Sequence, residues 1–182
     1  METFAEARAF VKHESYARDR QGIMEAFDPR SIDPPILDLI LAFARLPHCF
    51  TLQSCFGHFV SADEPDPTNL APLAAGGAGP VRYRIAYAAF CIEGGVAGAR
   101  LRDSLAGLCG IDPDYVQFGS PGWFWERQPN TYALQVEPRR FMFQDTAVVE
   151  YDEALHIERI RERFFEALRK VVTVEESLTL RD

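Results

Sequence analysis

The densest group of chemically able side chains is the stretch FTLQSCFGHFV at 50–60, where a hydroxyl, a thiol and an imidazole stand on Ser54, Cys55 and His58. Three kinds of chemistry suit these residue types. Cys49, Cys55 and His58 are spaced by six and three residues, and His13 or His156 could supply a further ligand to a tetrahedral zinc ion. No second close pair of ligands accompanies them, so the spacing favours packed thiols and a backbone-bonded His58, and it assigns no metal ligand. Cys55 and His58 could also form a thiolate–imidazole pair across a tight turn, although no third orienting group is visible. The third reading is a plain bend in a sheet, with Gly57 supplying a positive φ angle.

Other stretches are less specific. GGAG at 76–79 and EGG at 93–95 match neither a P-loop nor a dinucleotide fingerprint. Trp123, Phe124 and Trp125 are consecutive, and from an extended strand they cannot all point into one core. Stacking of a flat ligand and filling of a core or dimer interface therefore both remain open. Arg139 and Arg140 follow Pro138 and read either as a phosphate clamp or as a solvated surface pair.

These groups need elements to position them. Residues 3–17 predict an amphipathic helix with Phe4, Ala7, Phe10 and Val11 on one face, followed by a polar loop over 18–32 with a short helical piece near Ile23–Phe27. Asp33 and Pro34 start the next helix, Asp33 as its cap, and Pro47 stops it, with Ile36, Leu37, Ile40, Leu41 and Ala44 inward. Short strands are predicted over 49–53 and 57–61 and a loop over 62–80. A strand over 81–92, a turn at Gly94-Gly95 and a helix over 96–108 follow. Strands over 114–119 and 131–138, turns around the aromatic cluster and a helix over 152–172 complete the chain. The order predicts a single α/β domain over 1–182, a mixed β-sheet covered by helices.

The totals bound the rest. Hydrophobic residues make up 47% and charged residues 25% of 182, an ordinary globular composition, and 14 Phe predict an aromatic core. No apolar run is long enough for a membrane span, and the charged start lacks the pattern of a signal peptide, so a cytoplasmic location and four free thiols are expected. A net charge of −8 disfavours broad attraction to nucleic acid, leaving only local pairs such as Arg82 with Arg84 or Arg100 with Arg102.

The stretch SIDPPILDLILAFARLPHCFTLQSCFGHFV at 31–60 resembles the tRNA wybutosine-synthesis methyltransferase family, the enzymes acting third in that pathway. That family has a charged first helix, an acidic start to a second helix, and a strand that enters a Ser-Cys-Ser-Gly-Arg bend. Asp33, Ser54, Cys55 and Gly57 match its positions, Phe56 stands in place of the second Ser, and His58 in place of the Arg. The resemblance in layout extends over nearly the whole chain. It implies a pocket beside the bend and S-adenosylmethionine-dependent methyl transfer to a ring nitrogen of a tricyclic guanosine in tRNA. On this expectation Ser54, Cys55, His58 and Asp33 serve the chemistry, while Gly57, Trp123 and Trp125 serve the cofactor. A small-molecule or nucleoside ligand fits the acidic chain better than tRNA does. Three alternatives stand beside this one: a ligand-binding protein of the same fold without turnover, a metal protein using Cys55 and His58, and a homo-oligomer joined through its aromatics at 122–125.

Overall fold

The computed structural model describes residues 4–179. Its first element is extended: β1 (Phe4–Ala5) is followed by an irregular strap, and the first helix, α1, runs only from Tyr16 to Ala26. The helix expected over 3–17 does not form between residues 4 and 15 because the strap's backbone finds tertiary partners; residue 3 lies outside the described residues. Arg8 N–H donates to Ser120 Oγ at 3.0 Å, Asn130 bonds both N–H and C=O of Val11 at 2.9 Å, and Tyr132 Oη donates to Arg8 O at 2.9 Å. The stretch expected as loop with a short helical piece near Ile23–Phe27 instead carries α1, which starts earlier and ends at Ala26. Its Arg20 guanidinium satisfies the carbonyls of Ala44, Leu46 and Cys49, at and beyond the end of the next helix.

That helix, α2 (Leu37–Arg45), follows a 3-10 turn over Pro34–Ile36. The tighter turn rotates the inward face: Ile36, Leu39, Ile40, Ala42 and Phe43 are buried, while Leu41, expected inside, is exposed. The strands and remaining helices are β2 (Cys49–Cys55), β3 (His58–Val60), β4 (Pro80–Arg84), β5 (Ala86–Ile92), α3 (Val96–Gly107), β6 (Val116–Pro121), α4 (Gly122–Arg127), β7 (Thr131–Val136), β8 (Thr146–Glu150) and α5 (Tyr151–Thr179). The turns expected around Trp123 are the short helix α4, and β8 is a strand beyond those expected. Only Ala147 and Val149 of β8 point inward, too short an alternation to stand out beside the long helix that follows it.

Helices and strands intermingle as expected, but the single mixed sheet is replaced by two antiparallel ones. Five strands lie in the order β1-β6-β7-β5-β2, and three in the order β3-β4-β8. Every described pairing is antiparallel. The chain crosses between sheets at Phe56-Gly57 and again at Ile85, which splits the strand expected over 81–92. Ile85 N–H donates to Asp145 O at 3.2 Å instead of joining a ladder. The two crossings pack on each other: a Cβ on Gly57, whose φ is +90°, would lie 2.9 Å from Ala86 Cβ.

The core lies between α2, α3 and α5 and one face of the larger sheet. Phe43 meets Phe90 with ring centroids 4.6 Å apart, and Ile157, Ile160, Phe164 and Leu168 of α5 are fully or almost fully buried. On the opposite face Tyr16 of α1 packs on Phe50 and Cys91, and Phe124 of α4 packs on Ala89 and Ala133. That face is only partly covered, and the uncovered part is a cleft. No helix among the described residues is long and apolar enough to cross a membrane.

Candidate functional site

A register shift in β2 between Thr51 and Gln53 sets up the cleft floor. Beyond it, two rows of side chains run across four strands on the same face. One row is Cys55, Tyr87, Gln135 and Gln117; the next is Gln53, Ala89, Ala133 and Gly119. Small residues in the second row leave space, and polar residues in the first border it. The resulting cleft has a volume of about 550 Å³. Trp123 and Phe124 wall one side, Arg84 and Ile85 another, and the segment from Met142 to Asp145 a third.

The wall side chains carry specific polarity. Tyr87 Oη donates to Gln53 Oε1 at 3.2 Å. Gln135 Nε2 donates to Glu137 Oε2 and to Met142 O, both at 3.4 Å. Glu137 is fully buried, its Oε1 has no partner, and burial together with the charge of Asp145 pushes its carboxyl up to about 9. It is therefore a neutral acid at neutral pH, next to the residue that borders the cleft. Trp123 is 42% exposed, with the Arg127 guanidinium 3.5 Å from its ring centroid on one side.

Trp125 does not line the cleft. In a helix, positions two apart are separated by about 200°, so Trp125 points away from Trp123. It meets Tyr132 edge-on at 5.8 Å and carries the Arg8 guanidinium at 5.2 Å. The expectation that both tryptophans stack a ligand narrows to Trp123. Arg140 is paired with Glu153 and Arg100 with Glu175, while Arg84 is the arginine that lines the cleft.

The bend adjoins this cleft. Cys55 lies opposite Tyr87, and His58 lies opposite Arg84. Asp33 is brought to the same point, although not as a helix cap. Pro34 and Pro35 present no N–H to it, so its carboxylate turns to the bend, where Oδ2 accepts the Phe56 N–H at 2.7 Å. Suitable ligand atoms of Asp33, Cys55 and His58 all lie within 4.8 Å of one another. His58 Nε2 is 3.5 Å from Asp33 Oδ2, and Nδ1 is buried without a partner. Burial pushes the Cys55 thiol up to about 11, so on its own it is a thiol and no nucleophile at neutral pH. Ser54 faces the other way, opposite Ala88 of the core, with Oγ buried and unpartnered. It does not join the cluster.

The other expected ligands are elsewhere. Cys49 is fully buried in the core, His13 bonds Asp19 at 3.0 Å, and His156 is 3.4 Å from Asp112. All four cysteines are free thiols.

One buried cation supports the bend. Arg161 of α5 donates from Nη1 to Gly57 O at 3.0 Å, and its guanidinium lies 4.1 Å from the Phe56 ring centroid and 5.0 Å from that of Phe59. Glu158, 3.5 Å from Arg161, accepts the N–H of Leu73, and Tyr151 Oη donates to Ala74 O at 2.7 Å. The loop between β3 and β4 is thereby tied to α5.

The chain shares its fold with the PH1069 protein from Pyrococcus horikoshii. The TM-score is 0.51 at 14% identity, over 91% of this chain and 96% of that one. At that identity the likeness speaks for the fold alone. No protein-family model and no curated protein matches the chain.

Several site residues escape sequence reasoning. Gln53, Arg84, Gln135 and Glu137 look like the solvent side of half-buried strands, and Tyr87 continues the alternation of Val81, Tyr83 and Ile85. A signal exists in TYALQVEP, where Gln135 and Glu137 continue a strand buried on both faces. Arg161 shows itself as a charge inside the apolar stripe of Ile157, Ile160 and Phe164.

Proposed function

We propose that the cleft binds a nucleoside or nucleotide-like ligand and that the protein uses S-adenosylmethionine to methylate a nucleoside. The observation that carries the binding half is the combination of the half-exposed indole of Trp123, the amides of Gln53, Gln135 and Gln144, and Arg84 around one cleft. A volume of about 550 Å³ suits a small ligand. A base stacked on an indole gains about 1–3 kcal/mol whatever its identity. Amides offer both donors and acceptors to a base edge, and a guanidinium matches a phosphate or carboxylate. Asp145, also on the wall, can accept from ribose hydroxyls.

The methylation half rests on the resemblance of the Asp33, Ser54, Cys55 and Gly57 positions to the wybutosine-synthesis enzymes. The cleft groups suit this cofactor: Trp123 for adenine, Asp145 for ribose and Arg84 for the carboxylate. Its sulfonium supplies an activated methyl group, so the protein's task is to hold donor and acceptor in line and dry. Gln135 and Gln53 would orient the acceptor base through its edges, and Tyr87 would fix Gln53. A chain of net charge −8 fits a free nucleoside or nucleotide better than an entire tRNA.

Calorimetric titration with S-adenosylmethionine and with guanosine monophosphate tests both halves. Micromolar binding, roughly −8 kcal/mol, should weaken about tenfold or more in Trp123→Ala, given the stacking term. Trp125→Ala, on the far side of α4, should leave affinity unchanged. Binding of the nucleotide without the cofactor would remove methyl transfer and leave a nucleoside-binding protein. Failure of both ligands to bind folded protein would refute the proposal.

A further inference from the structure

We infer that Asp33, Cys55 and His58 form a binding site for a single divalent ion of the zinc class. The three offer a carboxylate oxygen, a sulfur and an imidazole nitrogen within 4.8 Å of one another. These are the ligand types that zinc takes from proteins. With bonds of about 2.0–2.3 Å, two ligands of a tetrahedral ion stand about 3.3–3.8 Å apart. His58 Nε2 and Asp33 Oδ2 already stand at 3.5 Å.

The second observation is the state of His58. Its side chain is only 8% exposed, yet neither ring nitrogen makes a hydrogen bond among the described residues, and Nδ1 is fully enclosed. Buried polar groups are otherwise almost always paired. An ion between Nε2 and Asp33 would replace a long 3.5 Å contact by two short bonds, while Nδ1 stays enclosed as before. The ligand carriers are also held from outside. The Phe56 N–H fixes Asp33 Oδ2 at 2.7 Å, the role that outer hydrogen bonds play around metal ligands. Gly57, at φ +90°, returns the chain so that His58 comes back beside Cys55. Asp33 is 24% exposed and opens the site to solvent.

Charge decides the ligand state. The Arg84 and Arg161 guanidiniums act on Cys55 and oppose a bare cation. A carboxylate and a thiolate together offset the two charges of the ion, so binding must release the Cys55 proton. Three protein ligands leave one position for water or a ligand, the pattern of an open zinc site. The three ligand residues neighbour the cleft, because Tyr87 and Arg84 are the cross-strand neighbours of Cys55 and His58.

Cobalt(II) titration of the full-length reduced protein tests the site. One equivalent should give the visible bands of a tetrahedral ion and a near-ultraviolet thiolate-to-cobalt band, and zinc should bleach both. Cys55→Ser should lose the thiolate band. Asp33→Asn and His58→Gln should each weaken cobalt at least about tenfold, since even outer-shell changes lower metal affinity by that much. Cys109→Ser, which alters the most accessible thiol, should leave the spectrum unchanged. Circular dichroism confirms that each variant is folded, and if Cys55→Ser is not, His58→Gln decides. Absence of the bands at saturating cobalt, persistence of the thiolate band in Cys55→Ser, unchanged cobalt affinity in His58→Gln, or loss of the bands in Cys109→Ser would each overturn the inference. Nucleotide affinity measured without metal keeps this outcome separate from the fate of the cleft.

Discussion

Replacing Glu137 by Gln should change how stability depends on pH. Glu137 is fully buried, one carboxyl oxygen has no partner, and the other receives only a 3.4 Å contact from Gln135. Burial and the Asp145 charge push the group up from its ordinary value of 4.5 to about 9. A folded-state value above the unfolded one means that folding takes up a proton. The associated stability is fully present below about pH 4.5 and is lost progressively as pH rises towards about 9. Within that window the loss approaches about 1.4 kcal/mol per pH unit, or about 2.7 kcal/mol between about pH 5.5 and about pH 7.5. Glu137→Gln keeps the shape and removes the titration. Urea denaturation followed by tryptophan fluorescence at both pH values should therefore show the variant gaining on the parent. About half the ceiling, or roughly 1.3 kcal/mol, is the expected gain, since a carboxyl beside a cleft can recruit water as it ionises. Parallel stability curves for parent and variant over this range would refute a neutral Glu137.

Two further substitutions probe the bend. Gly57→Ala combines a positive φ with a 2.9 Å approach to Ala86 Cβ and should cost about 2–4 kcal/mol in urea denaturation; a loss under about 1 kcal/mol would mean that the two sheet crossings are not packed as described. Arg161→Ala removes the donor to Gly57 O and leaves Glu158 without its buried partner, so about 3–5 kcal/mol should be lost, whereas Arg161→Met, which keeps the packing on Phe56, should lose at least about 1 kcal/mol less.

Much of the secondary structure is legible in local pattern, and the exceptions at the N-terminal strap, α1 and Asp33 share one cause. The strands β6 and β7 and the helices α2 and α3 follow their apolar periods to within a few residues, whereas the strand expected over 81–92 is split at Ile85 and α5 runs on to Thr179, past the end expected at 172. The N-terminal strap fails because Ser120, Asn130 and Tyr132, all more than a hundred residues away, bind its backbone. The helix α1 is hidden in a polar stretch because its anchor, Arg20, bonds carbonyls around the end of α2. Asp33 is misread as a cap for the same kind of reason. The two prolines after it are visible in sequence, while the Phe56 N–H that claims its carboxylate is set by tertiary approach.

The site divides in the same way. The bend could be found from residue type, because a thiol, a glycine and an imidazole within four positions are uncommon in a strand and suggest chemistry wherever they fall. The cleft could not, because Gln, Tyr and Ala on alternate strand positions are what an ordinary solvated face looks like. Only the register brings Cys55, Tyr87, Gln135 and Gln117 into one row. That row joins the two halves of the site, since the residue that ends it at the bend is also one of the three in the metal cluster. A disturbance of the β2 register between Thr51 and Gln53 would thus move Gln53 and Cys55 to the other face together. The cleft and the cluster would be lost in one step, which a search for motifs in the sequence treats as two unrelated features.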